Sequence, residues 1–147
     1  MAETMLMALK EHVEKEKKHY YDGSHVTKSG EDYLEAILML HEKQGLVRSI
    51  DLARHMEYSK PSISHAVSIL RDGGFLTVDK DGFLYLTNVG QEVAERIYER
   101  HRFFTQWLID AGIDPETAEQ DACRMEHSIS QKSFEQVRDA YQKQQTQ

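Results

Sequence analysis

The sequence predicts a mainly α-helical fold with a small β wing: a winged helix-turn-helix followed by an all-helical region. Two short amphipathic segments are joined by the tight polar link Glu57-Tyr58-Ser59, which is typical of a helix-turn-helix. Two short apolar runs then flank Asp79-Lys80-Asp81-Gly82, as expected of a hairpin. From Asn88 onward apolar residues recur at helical spacing. The absence of a Pro/Gly-rich linker after the hairpin indicates that one long helix joins the two parts.

Composition sets broad limits on function. The 147 residues, 39% of them hydrophobic, suffice for one sizeable core or two small lobes. No apolar run approaches the length of a membrane span, and the N-terminus lacks a secretory signal pattern, so we expect a cytoplasmic protein with no membrane partner. The single cysteine is left free for a metal. The net charge of −7 is unusual for a protein that binds DNA and requires an explanation.

Two helices are expected before the helix-turn-helix. Residues 1–27 are predicted to form an N-terminal arm, helical because of i,i+4 Glu/Lys pairs. The next helix is predicted from about Ser29, as N-cap, to Lys43. It carries Asp32 and Glu35 on the face opposite its apolar arc, and periodicity alone indicates a solvated face for both carboxylates.

The predicted recognition helix runs from Lys60 to Arg71, after a shorter helix from Ile50 to Met56 capped by Ser49. Its buried positions are Ile63, Val67 and Leu70, which leaves small polar residues exposed at its N-terminal end. Hydroxyl groups suit base edges or phosphates, the Pro61 ring can pack on thymine methyls, and cations suit phosphates. The candidate DNA-binding residues are therefore Ser59, Lys60, Pro61, Ser62, Ser64, His65, Arg54 and Lys80. A helix-turn-helix used only for protein packing is the alternative.

Three further helices follow the predicted strands 75–78 and 83–86. A long helix capped by Asn88 extends to about Asp110 and places His101 on an apolar stripe. A histidine in such a place is more often a core residue than a ligand. Asp114 caps the next helix, with Pro115 at its first position, and Gln131 to Gln144 forms a last amphipathic helix.

The segment Cys123-Arg124-Met125-Glu126-His127 is the most informative chemically. Cys123, Glu126 and His127 stand at i, i+3 and i+4, so on a helix their side chains share one face, and Glu119 falls on the same side. A thiolate, a carboxylate and an imidazole can together hold a divalent transition metal if other residues complete the site.

These segments together resemble the diphtheria toxin repressor family of metal-dependent transcriptional repressors, which includes an iron-dependent branch and the manganese transport regulators. The resemblance runs from about Lys28 to Gln142. It rests on the order and spacing of five motifs: Glu31-Asp32-Tyr33-Leu34-Glu35, Ser59-Lys60-Pro61-Ser62-Ile63-Ser64, Leu86-Thr87-Asn88-Val89-Gly90, Arg100-His101 and Ala122-Cys123-Arg124-Met125-Glu126-His127.

The resemblance implies that the metal ligands are Asp32, Glu35, His101, Cys123, Glu126 and His127. Asp32 and Glu35 match the manganese branch, whereas Cys123 matches the iron branch. The implied cofactor is Mn(II) or Fe(II), and Zn(II), Co(II) or Ni(II) could substitute in vitro. Thr105 stands where the family usually has a Glu and Glu119 where the iron branch has a His, which leaves a second metal site open.

The resemblance also implies the function of each domain and a mechanism. Residues 28–90 form a winged helix-turn-helix DNA-binding domain, and residues 91–147 form an all-helical metal-binding and dimerisation domain. The partners are a second copy of the chain and double-stranded operator DNA, with no small-molecule substrate. The metal acts as corepressor for metal homeostasis genes: it neutralises the acidic ligands, which answers the objection from net charge, and fixes two recognition helices about 34 Å apart.

Two other classes of protein remain as alternatives. A redox-sensing winged-helix regulator would use Cys123 as a reactive thiol, although the sequence holds no second cysteine to resolve it. A small metalloenzyme would use Cys123, Glu126 and His127 around an open coordination position, but no general-base pattern accompanies them. We expect no enzymatic activity.

Overall fold

A computed structural model describes residues 27–146 and contains six helices and one hairpin in that range. The elements are α1 (Lys28–Gln44), α2 (Ser49–Met56), α3 (Lys60–Asp72), β1 (Leu76–Val78), β2 (Leu84–Leu86), α4 (Asn88–Asp110), α5 (Pro115–Met125) and α6 (Gln131–Gln145). The mainly helical fold with a small wing is thus confirmed. The predicted arm over residues 1–27 lies outside the described residues except for Thr27.

The described chain falls into two compact units, one ending at Glu95 and the other beginning at Arg96, within α4. The first unit contains α1, the helix-turn-helix and the wing, and α1 packs there against α2, α3 and β2. Its core consists of fully buried aliphatic side chains from each of these elements: Leu34, Ile37, Leu52, Ile63, Leu76 and Leu84. None of the described helices has the length and apolar character needed to cross a membrane.

The N-cap of helix α1 lies two residues before the predicted cap, Ser29. The Thr27 hydroxyl oxygen accepts a hydrogen bond from the Gly30 main-chain N–H at 3.0 Å, so Thr27 and not Ser29 is the N-cap. The solvated face that periodicity alone indicates for Glu35 is wrong, because Glu35 is buried, with 8% of its surface exposed. Asp32 is half-buried.

The helix-turn-helix has the predicted buried stripe, with Ile63, Val67 and Leu70 inside. Helix α2 begins at Ser49, and its N-cap is Arg48, whose main-chain N–H donates to the Asp51 carboxylate at 2.8 Å. The prediction of Ser49 as the cap is therefore wrong by one residue. Helix α2 ends at Met56, and its C-cap residue, Glu57, adopts the left-handed conformation with φ 58°.

The wing is a two-stranded antiparallel hairpin in which Thr77 pairs with Tyr85. The strands are one residue shorter than predicted at their first positions. Phe75 precedes β1, and Phe83 forms an isolated bridge with Arg48, whose guanidinium lies 4.3 Å from the centroid of the Phe83 ring.

The start of α4 packs directly on the chain before the wing. The Thr87 hydroxyl donates to the Gly74 carbonyl at 2.6 Å and accepts from the Gly90 N–H at 3.2 Å, so Thr87 and not Asn88 caps the helix. A Cβ atom at Gly90 would lie 1.9 Å from the Phe75 carbonyl oxygen. Only glycine permits this approach.

The second unit contains the rest of α4 with α5 and α6. Asp114 caps α5 by accepting from the Thr117 N–H at 3.0 Å, as predicted. Ser130 caps α6. The core is aromatic: Phe104, Phe134 and Ala122 are buried, and Phe103, Met125 and Ile129 pack against them.

Candidate metal centre

Three elements of the second unit bring the central candidate ligands together. His101 lies in the middle of α4 and is buried, whereas Cys123 lies on the last turn of α5 and is exposed. Helix α5 ends at Met125, so Glu126 is its C-cap, still with helical dihedral angles of −62° and −21°, and His127 follows in the turn. The predicted common helical face therefore stops at Glu126, and His127 is placed by the turn.

The geometry of the cluster suits metal coordination. The Nδ1 atom of His101 lies 2.9 Å from Glu126 Oε2 and 3.6 Å from Cys123 Sγ, and all three potential ligand atoms lie within 4.8 Å of one another. Ligand atoms that each stand about 2.0–2.3 Å from one ion are separated from one another by about 3–4 Å. The nitrogen, oxygen and sulfur atoms here are thus spaced as neighbouring ligands would be.

The burial and hydrogen bonding of Glu126 are the features of the cluster that best fit a bound cation. Its side chain is 0% exposed, and within the described chain its Oε1 atom accepts no hydrogen bond. The nearest cationic or polar group that the structure gives for this oxygen is His127 Nε2 at 3.4 Å. A buried carboxylate oxygen without a donor is unfavourable unless a charge compensates it. The residues present therefore fit a divalent cation.

The electrostatics of the cluster favour a proton on His101 when no ion is bound. The hydrogen bond with Cys123 is the largest cause and the hydrogen bond with Glu126 the second, and together they raise the pKa of His101 to about 10 against the opposing effect of burial. The positive charge of the imidazolium then compensates the negative charge of the buried Glu126 carboxylate. A metal ion has to displace this proton, because the imidazole ligates only when neutral.

A second metal site around His101 has a looser geometry than the first. Glu119, the further candidate ligand, is 63% exposed in its side chain and has Oε1 3.9 Å from His101 Nε2, on the other edge of the ring from Glu126. Thr105 has a buried hydroxyl with no hydrogen-bond partner among the described residues. The second metal site therefore stays a prediction.

Asp32 and Glu35 lie one turn apart on α1, within the first unit. Helical spacing of three residues places their carboxyl groups on adjacent parts of the α1 surface. Their assignment as ligands comes from the sequence and stays a prediction.

The candidate DNA-binding residues share one property, which is exposure at the helix-turn-helix and wing. The Ser59 hydroxyl accepts from the Ser62 N–H at 3.3 Å and donates to the Ser62 hydroxyl at 2.9 Å. Both hydroxyl groups therefore lie at the N-terminus of α3. All eight side chains are exposed: Ser59, Lys60, Pro61, Ser62, Ser64, His65, Arg54 and Lys80. Their contact with DNA stays a prediction.

Arg100 adjoins His101 and makes a contact that the sequence does not indicate. Its side chain is buried and donates to the main-chain carbonyl of Glu126 at 3.0 Å. No local pattern signals this contact, because the partners are 26 residues apart in the chain.

The fold and the site together define a winged-helix DNA-binding protein with a candidate metal-ligand cluster in a following helical unit. Two family models cover most of the chain. Residues 25–84 match the model described as "Iron dependent repressor, N-terminal DNA binding domain", and residues 87–147 match "Iron dependent repressor, metal binding and dimerisation domain". The chain belongs to the iron-dependent repressor family.

Curated relatives and solved structures agree with this assignment. The transcriptional regulator MntR of Salmonella typhimurium is 30% identical over 132 residues, covering 90% of this chain and 83% of the relative. MntR of Bacillus subtilis is 33% identical over 116 residues, covering 79% and 82%. The solved structure of the manganese regulator SloR is 26% identical with a TM-score of 0.68, and it covers 77% of this chain and 53% of that one. The chain thus spans about half the length of the SloR structure it matches.

The family resemblance inferred from the motifs is confirmed. The protein is a metal-responsive DNA-binding transcriptional repressor, and it belongs to a family of regulators, not of enzymes. The redox-sensing and metalloenzyme alternatives are not favoured.

Proposed function

We propose that this repressor senses Mn(II) or Fe(II) as its corepressor and controls metal homeostasis genes from the cytoplasm. The observation that carries the proposal is the convergence of His101, Cys123 and Glu126, with a buried Glu126 oxygen that lacks a donor among the described residues. A bound divalent cation would supply the positive charge that this acidic cluster otherwise takes from the His101 proton. His127, whose side chain is 6% exposed, is the fourth ligand of this unit in the proposal.

Asp32 and Glu35 complete the proposed ligand set. Their inclusion is supported by the family assignment and by their positions in the Glu31-Asp32-Tyr33-Leu34-Glu35 motif. Both belong to α1, which packs against α2 and α3 of the helix-turn-helix. Metal binding at these carboxylates would therefore act on a helix that packs against the proposed DNA-contacting helices.

The choice between the two metals depends on Cys123 in this proposal. Carboxylates favour Mn(II), whereas a thiolate favours the softer Fe(II). The name of SloR describes that relative as a manganese regulator, which supports manganese as one of the two candidates. A Cys123→Glu variant should gain affinity for Mn(II) relative to anaerobic Fe(II). An unchanged ratio would mean that this position does not set metal preference.

The proposed partners are operator DNA and a second copy of the chain. The eight exposed residues of the helix-turn-helix and wing would contact the DNA. The helices spanning 94–108 and 134–141 would form the dimer contact, and exposed Trp107 and Val137 lie within them. Domains 28–90 and 91–147 are the proposed functional divisions.

The decisive experiment is DNA binding with and without metal. A duplex is first selected from a random pool by the Mn(II)-loaded protein, and its affinity is then measured in chelator, Mn(II) and anaerobic Fe(II). We expect affinity to rise by about 5- to 150-fold with metal, the usual range of coupling between linked sites. Glu126→Gln should abolish the rise. Glu116→Gln removes an exposed carboxylate from the first turn of α5 and should not affect it. Equal affinities in chelator and in both metals would refute the proposal.

A further inference from the structure

A buried arginine holds the main chain of the segment that carries two proposed ligands. Arg100 is 5% exposed, and one terminal nitrogen donates to the carbonyls of Glu126 at 3.0 Å and Ile129 at 2.6 Å. The other terminal nitrogen donates to Gln131 Oε1 at 2.9 Å. These three acceptors span the whole connection between α5 and α6.

The contacts of Arg100 satisfy carbonyl groups at and after the end of α5. The last carbonyls of a helix have no partner within the helix, and a cation near them is favourable. Helix α5 ends at Met125 without a glycine or proline to close it. The Ser128 N–H donates locally to the Met125 carbonyl at 3.1 Å, and the guanidinium of Arg100 satisfies the carbonyl of the C-cap residue, Glu126.

The contact also leaves the Glu126 carboxylate available. Arg100 binds the main-chain carbonyl of Glu126, whereas the next residue of α4, His101, faces the carboxylate at 2.9 Å. Two consecutive residues thus fix the main chain and the side chain of the same ligand. An arginine paired with the carboxylate itself would compete with a metal, and the observed arrangement avoids that competition.

The shape of the guanidinium group matters for this role. Its planar fork serves three acceptors from two nitrogens, which a single ammonium group cannot reproduce in the same geometry. Gln131 is itself oriented, because its amide nitrogen donates to Glu135 at 3.0 Å and its oxygen therefore faces Arg100.

We propose that Arg100 is a positioning residue of the metal centre: it fixes residues 126–131 so that Glu126 and His127 stand beside His101 and Cys123 before an ion binds. This inference rests on the proposed assignment of Glu126 and His127 as ligands. It predicts that loss of Arg100 weakens metal binding by the folded protein, although Arg100 does not touch the ion.

The test compares Arg100→Gln and Arg100→Lys with Arg138→Gln. Arg138 is a matched control, because its guanidinium lies 5.7 Å from the Phe134 ring centroid where that of Arg100 lies 5.6 Å, and its ion pairs are with Glu99 and Asp139. Affinity for Co(II) and Mn(II) is measured on the metal-free, folded full chain, together with the absorption spectrum of the Co(II) form. We expect a loss of about 10- to 100-fold in Arg100→Gln, the usual effect of removing a group that orients a ligand. Arg138→Gln should stay within about twofold of wild type.

The Co(II) spectrum separates positioning from simple structural support. Misplaced Glu126 and His127 would change the position and intensity of the Co(II) bands at saturation, and Arg100→Lys should show a smaller change. A variant that is merely less stable would keep the wild-type spectrum and affinity in its folded molecules, and this result would overturn the proposal. If Arg100→Gln does not fold, Arg100→Lys and Gln131→Leu decide: wild-type affinity and spectra in both would overturn it.

A double variant separates this proposal from the metal centre itself. If Arg100 acts through Glu126, Arg100→Gln should reduce affinity less in a Glu126→Gln background than in the wild type. Should Glu126→Gln alone leave affinity unchanged, the proposed centre is wrong. A loss in Glu126→Gln with none in Arg100→Gln overturns only the role of Arg100.

Discussion

Metal binding should depend steeply on pH because a proton occupies His101 in the metal-free protein. The hydrogen bonds with Cys123 and Glu126 raise the pKa of His101 to about 10 from the ordinary 6.5. Well below that pKa, each unit of pH changes the neutral fraction of the imidazole about tenfold. From pH 6.5 to 8.5, apparent metal affinity should therefore rise about 100-fold through His101 alone, whereas an ordinary histidine would give only about twofold.

Two measurements check this expectation. Competition with a chelator at each pH gives the apparent affinity for Co(II) or Mn(II), and calorimetry in buffers of different ionisation enthalpy counts the protons released. Nitrogen-15 NMR of the metal-free protein follows the His101 imidazole directly, which should remain protonated at pH 8. Cys123→Ala removes the largest cause of the raised pKa, so this variant should show a shallower pH dependence.

An imidazole that titrates near 6.5 in the metal-free protein would refute the reasoning.

The raised pKa of His101 also makes the stability of the metal-free protein depend on pH. Because the folded pKa exceeds the unfolded one, the contribution of His101 to the free energy of unfolding is fully present below about pH 6.5 and is lost as pH rises towards 10. The metal-free protein should therefore become less stable over that range, and added metal should remove the effect.

Three substitutions test the fold by chemical denaturation. Gly90→Ala should lower the free energy of unfolding by at least about 2 kcal/mol, because the new Cβ would lie 1.9 Å from the Phe75 carbonyl oxygen; a change below about 0.5 kcal/mol would contradict that approach. Glu57→Gly should stabilise by about 0.5–1 kcal/mol by relieving the left-handed conformation at φ 58°, whereas Glu57→Ala, which keeps the strain, should not. Phe134→Ala should destabilise by about 3–5 kcal/mol, because the ring is fully buried, and exposed Lys143→Ala in the same helix should change stability by no more than about 0.5 kcal/mol.

The parts of the fold that local pattern determines could be predicted from the sequence. The buried stripe Ile63, Val67 and Leu70 follows from helical periodicity, and the wing follows from two apolar runs around a turn. Helix starts were less predictable where two residues could both act as cap. Thr27 caps α1 two residues before the predicted cap Ser29, and Thr87 caps α4 one residue before Asn88, because neighbouring sequence alone does not say which side chain meets the free N–H groups.

The parts of the candidate site that depend on local sequence could be predicted, and the parts that depend on distant residues could not. The spacing of Cys123 and Glu126 on one helical turn brought those residues together from sequence alone. Arg100 contacts the Glu126 and Ile129 carbonyls from 26 and 29 residues away in the chain, so no window around the motif could show this contact. The burial of Glu35 was missed because a carboxylate on a helix is usually solvated.

Coupling between metal and DNA should be carried by the proposed ligands on α1. The possible ligand atoms of His101, Cys123 and Glu126 lie within 4.8 Å of one another without an ion, so their binding of metal requires little rearrangement among themselves. Asp32 and Glu35, by contrast, share a helix with Leu34 and Ile37 of the helix-turn-helix core. Under the proposed function, Asp32→Asn should therefore reduce the effect of metal on DNA affinity by more than it reduces metal affinity itself. Parallel losses in both would place the coupling elsewhere in the chain.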